Sequence, residues 1–228
     1  MPTRAATRRG FFITLEGGEG TGKSTQVGHL LRNLRKAGMA AIATREPGGS
    51  PGAEILRKLL LSGRIAPLGP TAEAILFSAA RIDHIDTTIA PALAAGTWVV
   101  SDRYADSTRA YQGARGQVDP RFFRALERIT LGNVRPDLTL ILDLPVVEGL
   151  ARAAARRTAG EAPDRFERED LAFHQTLRGA FLSIAMAEPA RCIVIDAAGS
   201  EDEVAQAIFE AVFNRLIVPA TVKQARHG

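Results

Sequence analysis

Apolar residues along the chain fall into two patterns. Short, nearly unbroken apolar runs occupy residues 11–16, 39–44, 97–101, 138–144 and 191–196. Runs of that length without period-two alternation predict strands buried on both faces. Between them, apolar residues recur at helical spacing. Val27, Leu30, Leu31 and Leu34 predict a helix over 23–37 that Gly38 closes. Ile55, Leu56, Leu59 and Leu60 predict one over 53–61. Further helices are expected over 71–95, as one long helix or a kinked pair because Pro91 interrupts it, and in stretches of 106–132 around a loop at 113–120. The last three are expected over 146–157, 167–187 and 201–217, with 158–163 a polar, mobile loop. Strand and helix alternate throughout. The expected fold is α/β: a parallel five-stranded sheet flanked by helices on both faces, a three-layer sandwich. Such sheets bind ligands at the carboxyl ends of their strands.

With 228 residues, 46% of them hydrophobic, the chain suits a single domain, expected over 11–218, with disordered tails at 1–10 and 219–228. No apolar run approaches the ~20 residues of a membrane-spanning helix. Cys192 is the only cysteine and sits in the last apolar run, so a disulfide framework within the chain is excluded and a thiolate metal cluster is not expected. That usage suits a reducing cytoplasm. The net charge of +4 suits an anionic ligand or a nucleic acid. The basic residues are dispersed or gathered near 152–168 and no groove-reading motif is present, so no nucleic-acid partner is expected. Only four residues are lysine, Lys23, Lys36, Lys58 and Lys223, in a chain that otherwise uses arginine. Lys23 therefore invites a chemical explanation.

That explanation lies in its neighbours. Gly17, Gly18, Glu19, Gly20, Thr21, Gly22, Lys23 and Ser24 form G-x-x-x-x-G-K-[ST] between a predicted strand and a predicted helix. Glycines let successive backbone N–H groups wrap an anion at the helix N-terminus. Lys23 adds a positive charge, and the Ser24 hydroxyl is placed for Mg²⁺. These residues with Thr25 are the candidate ATP site of a P-loop NTPase fold. Asp102 ends the third predicted strand, where a carboxylate holds Mg²⁺ through water or caps the next helix. Arg103 follows it, and arginine grips phosphate bidentately. Arg152, Arg156, Arg157, Arg165 and Arg168 flank Gly160. They form either a solvated basic face or a lid, about 152–168, that closes over a transferring phosphoryl group.

The ordered set of motifs resembles the thymidylate kinases over roughly residues 11–217. The phosphate loop with Glu16 and Thr25 is similar to the family's opening, and Thr44-Arg45-Glu46-Pro47-Gly48-Gly49 to its substrate loop. Phe77-Ser78-Ala79-Ala80-Arg81 resembles the base-binding helix. Asp102-Arg103-Tyr104 and Ser107-Thr108-Arg109-Ala110-Tyr111-Gln112-Gly113 resemble the central signature, and Asp164-Arg165-Phe166-Glu167 the end of the lid. The resemblance implies transfer from ATP to dTMP with Mg²⁺, in a cytoplasmic homodimer. It implies Phe77 stacked on thymine, Arg81 on its O4 edge, and Gln112, helped by Ser107, on its polar edge. Thr108 belongs to the same site. Tyr111 would lie beneath the sugar, Arg103 and Arg57 would hold the acceptor phosphate, and Glu46 and Pro47 would sit at the substrate-loop edge. The phosphate loop has no arginine, which resembles the bacterial type whose lid supplies transition-state charge; Arg156, Arg157 and Arg165 are the candidates. Three rivals stand beside this reading: a kinase for another nucleotide or nucleoside, a P-loop switch or nucleic-acid-dependent ATPase, and a nucleotide-binding pseudoenzyme.

Overall fold

A computed structural model describes residues 9–114, 118–156 and 165–218. Strand β1 (Phe12–Glu16) lies at the centre, fully buried. It pairs in parallel with β3 (Trp98–Asp102) on one side and β4 (Leu138–Asp143) on the other. Strand β2 (Ala41–Arg45) lies outside β3, and β5 (Cys192–Asp196) outside β4, giving the order β2-β3-β1-β4-β5, all parallel. The order reverses direction at β1, and such a switch point opens a crevice at the carboxyl ends.

The helices in chain order are α1 (Lys23–Lys36), α2 (Pro51–Leu61), α3 (Gly69–His84), α4 (Ala90–Ala94), α5 (Ala105–Ala114), α6 (Pro120–Leu131), α7 (Val146–Arg156), α8 (Leu171–Ala187) and α9 (Glu201–Val212). Because side chains alternate across a strand, β1 serves two cores. Ile13 and Leu15 pack with Leu30 and Leu34 of α1 and with Val204 and Ile208 of α9. Phe12 packs on the other face with Val99, Ile89, Leu93 and Tyr104. A third cluster joins Tyr111 of α5 and Leu177 and Phe181 of α8 to Ile141 of β4. Burying each such large side chain is worth about 1.5–3 kcal/mol. Cys192 is buried in β5.

Four expectations need adjustment. The segment expected at 71–95 is continuous from α3 to α4, with a π-helical turn at Ile85–Ile89 between them. Pro91 has no N–H to give the preceding turn, and the ladder widens there instead of breaking. The helix expected from 167 begins at Leu171, because the Asp170 carboxylate accepts the Phe173 N–H at 2.8 Å and caps α8 there. At the far end, α9 passes into a π-helical turn, Phe213–Ile217. Of the tail expected at 1–10, Arg9 and Gly10 are ordered: Arg9 reaches Asp137 at 2.9 Å and the Gly10 N–H reaches the Leu93 carbonyl at 2.9 Å. The rest of it, the tail at 219–228 and the loop at 158–163 lie outside the described residues.

Candidate active site

The phosphate loop runs from the end of β1 into α1, at the crevice. It is threaded closely past α7. A Cβ at Gly20 would run into the carbonyl of Gly149, and a Cβ at Gly149 would lie 2.5 Å from the Glu19 carbonyl. Lys23 is buried, and its Nζ donates to the Gly18 carbonyl at 2.6 Å. Burial and then the like charge of Arg103 push its pKa down to about 8, against the pull of Glu19 and Asp102. Thr21, Gly22 and Thr25 line one cleft with Gln26, Arg152, Arg156 and the Ala197–Glu201 segment before and at the start of α9.

Arg103 follows β3 with φ of 69°, a left-handed conformation that non-glycine residues avoid. Glu16 holds the chain there. Its carboxylate accepts the Tyr104 N–H at 2.8 Å and the Ser107 hydroxyl at 2.5 Å, just before and within the first turn of α5. Burial first, and the nearby Asp106, raise the pKa of Glu16 to about 8. The Arg103 guanidinium donates to the Gly17 carbonyl and to Glu19, both at 2.9 Å, and stands 5.0 Å over the Tyr111 ring. Burial alone would raise Glu19; Arg103 and Lys23 outweigh it and hold it at about 2. The Tyr111 hydroxyl also donates to Glu19.

A second cleft, on the β2–β3 side, brings together Glu19, Glu46, Pro47, Arg57, Phe77, Arg81, Arg103, Ser107, Thr108, Tyr111, Gln112 and Phe166. All ten residues expected to bind the acceptor are among them. Arg81 is buried, with Nε on Glu46 at 2.7 Å and Nη2 on Thr108 at 3.0 Å. Glu46 is shared: His84 Nδ1 meets its other oxygen at 3.0 Å, and His84 Nε2 meets Thr44 Oγ1 at 2.6 Å. His84 went unread in the sequence, although a histidine three residues after Arg81 lies on the same helix face. Glu16, Glu73 and Gly149 were also missed as functional residues.

The expected lid arginines separate. Arg156 lines the cleft at the phosphate loop. Arg152 binds Glu148 at 2.5 Å and the Ala197 carbonyl at 2.9 Å. Arg165 lines neither cleft; its Nη2 pairs with Glu73 of α3 at 2.5 Å. Arg157 and Asp164 lie outside the described residues.

Ser24 and Asp102, the residues expected to hold Mg²⁺, stand together: the Ser24 hydroxyl donates to the Asp102 carboxylate. Mg²⁺ commonly takes one or two protein oxygens, with phosphates and water supplying the rest. Among the described residues no cluster of three or more His, Cys, Asp or Glu offers a metal site independent of substrate.

A phosphate loop opening onto two clefts, one beside α9 and one lined by three arginines and several aromatic rings, defines a P-loop phosphotransferase that moves a phosphoryl group between two bound molecules. The thymidylate kinase family profile matches residues 15–208. A thymidylate kinase of Bradyrhizobium diazoefficiens is 59% identical over 94% of each chain, and one of Nitrobacter winogradskyi is 56% identical over 98% of this chain and 97% of its own. The crystal structure of thymidylate kinase from Ehrlichia chaffeensis superposes with a TM-score of 0.72 at 29% identity, covering 90% of this chain and 98% of that one. The chain belongs to the thymidylate kinase family. Its activity is the ATP-dependent phosphorylation of dTMP to dTDP.

Proposed function

We propose that the two clefts divide the reaction, with ATP in the cleft of Gly20, Thr25 and Arg156 and dTMP in the cleft of Phe77, Arg81 and Gln112. The supporting observation is the lining of the second cleft and its link to the phosphate loop. Phe77, Gln112 and three arginines line it together, and one of those arginines, Arg103, reaches the phosphate loop at the Gly17 carbonyl and Glu19, both at 2.9 Å. Phe77 stacks on thymine. The Arg81 guanidinium, with Nε and Nη2 already committed, turns Nη1 to the base O4. Gln112, whose Oε1 has no partner among the described residues, accepts the base N3–H. Tyr111 packs beneath the deoxyribose. Arg57 and Arg103 orient the acceptor phosphate, with Glu46, Pro47, Ser107 and Thr108 fixing their surroundings.

An oxygen of the dTMP phosphate then attacks the γ-phosphorus of ATP in line, and the bond to the β–γ bridging oxygen breaks. The phosphate-loop N–H groups and Lys23 hold the β and γ oxygens, and Arg156 and Arg157 add positive charge from the lid. Ser24 and, through water, Asp102 would hold Mg²⁺, which would supply positive charge to offset that of the phosphates. Positioning and charge suffice for this chemistry, and no covalent nucleophile is needed.

We place the enzyme in the cytoplasm as a homodimer. No described helix is long and apolar enough to cross a membrane, and α3 carries exposed Ile75 and Ile82 one heptad apart on one face.

ADP release from ATP and Mg²⁺ with dTMP, dUMP, UMP, CMP, GMP and thymidine in parallel tests the base site, together with Phe77→Ala. Loss of one stacking face is expected to raise the dTMP KM by about 10–100-fold with the ATP KM unmoved. An unchanged dTMP KM would place the base elsewhere. Lys23→Met is expected to lower kcat by about 10²–10³.

A further inference from the structure

Glu73 has no solvent exposure, although it is a carboxylate in the middle of α3. Its two oxygens face two elements. Oε1 receives Arg165 Nη2 at 2.5 Å, from the segment that leads into α8. Oε2 receives Gln112 Nε2 at 3.4 Å, from α5. Gln112 is itself completely buried at the wall of the dTMP cleft, and its Oε1 has no partner among the described residues. The Arg165 guanidinium is clamped over the Phe166 ring at 4.7 Å, and its side chain is only 11% exposed.

A carboxamide has two flips that fill nearly the same space and differ only in which end donates. An ionised carboxylate only accepts. The contact at 3.4 Å is long, but its sign is decisive. The nitrogen end is attracted to Glu73, and the oxygen end would meet a like charge. One flip survives, with the donor toward Glu73 and the acceptor left over. Arg165 supplies the counter-charge, its Nη2 standing 2.5 Å from the Glu73 carboxylate.

We propose that Glu73, balanced by Arg165, is a specificity-determining residue that locks Gln112 with its oxygen turned to the base. This rests on the placement of the base against Gln112 given above. A fixed acceptor selects pyrimidines that carry N3–H, the 4-oxo bases thymine and uracil. A 4-amino base has a bare lone pair at N3 and meets the Gln112 oxygen lone pair to lone pair. Arg165 acts through Glu73 and is a positioning residue, which departs from the transition-state role expected for it as a lid arginine.

The test compares kinetics and calorimetric Kd for dTMP and dCMP in the full chain. Glu73→Gln keeps the shape but makes either flip of Gln112 acceptable. It is expected to lower the dTMP-to-dCMP preference about tenfold or more, with the loss in dTMP Kd rather than in kcat. Because Glu73→Gln strands Arg165, the double variant Glu73→Gln/Arg165→Met removes the stranded charge, and it is expected to melt cooperatively with the same relaxed preference. An unchanged preference in whichever of these folds overturns the proposal. Arg165→Met alone is expected to raise dTMP KM by a larger factor than it lowers kcat. A fall in kcat of about 10² at unchanged dTMP Kd would return Arg165 to transition-state stabilisation and overturn its positioning role. Gln112→Leu separates the two layers. If it leaves dTMP Kd unchanged, the base placement itself fails. If it weakens dTMP while Glu73→Gln does not, only the flip lock fails.

Discussion

Glu16 and Glu19 stand three residues apart and are held in opposite protonation states. Glu19, between Arg103 and Lys23, keeps its charge down to about pH 2, whereas burial carries Glu16 from 4.5 up to about 8. Between those two values the unfolded chain has released the Glu16 proton and the folded chain still holds it. The folded state then binds more protons, so the Glu16 contribution to stability falls as pH rises through that window. Glu16→Gln keeps the shape without the titration. Its melting temperature relative to the native chain should therefore climb from pH 5 to pH 8, as thermal scans across that range will show; a constant difference would mean that Glu16 does not titrate there. Residues such as Lys23, Arg103 and Phe77 were legible because they stand in short ordered motifs. Glu16, His84 and Glu73 were not, because their roles depend on partners brought from distant elements: Tyr104 for Glu16, Glu46 for His84, Gln112 and Arg165 for Glu73. Nothing in the local sequence announces those partners.

Between elements, the tightest constraint is the approach of α7 to the phosphate loop through Gly20 and Gly149. Adding one methyl there forces the loop backbone to move, since the Glu19 carbonyl is not the end of a flexible side chain. Overpacking of this kind costs about 1–3 kcal/mol. Gly149→Ala is expected to raise the ATP KM about tenfold or more through displaced N–H donors, measured by steady-state kinetics with dTMP saturating. A normal ATP KM would show that the loop yields without loss. The five strands were readable from their apolar runs alone, although only the inner three are covered on both faces. The edge strands β2 and β5, expected to be buried on both faces, carry exposed residues because each has a neighbour on one side only. Boundaries were less readable. The start of α8 depends on one cap, Asp170, and the passage from α3 to α4 depends on how the chain absorbs Pro91, which composition does not reveal.

For the whole molecule, the parallel sheet and its crevice followed from the alternation of strand and helix, and the apolar content of residues 71–95 already offered material for an interface, though not which side chains of α3 face outward. Ile75 and Ile82 are 48% and 41% exposed on that helix. Apolar side chains stacked on one face are the material of an interface. Ile75→Glu/Ile82→Glu is expected to convert a dimer to a monomer in sedimentation velocity, while its circular dichroism stays that of the native chain. A native chain sedimenting as a monomer would remove the dimer.

The order β2-β3-β1-β4-β5 has a further consequence, for synthesis on the ribosome. The strand made first is the one that ends at the centre. Phe12–Glu16 emerges early, but its neighbours are Trp98–Asp102 and Leu138–Asp143. At translation rates of about 5–20 residues per second, roughly 4–17 s pass before the nearer of them has been made. For that interval the most apolar strand of the nascent chain has neither edge paired, and it is the segment a chaperone would be expected to hold.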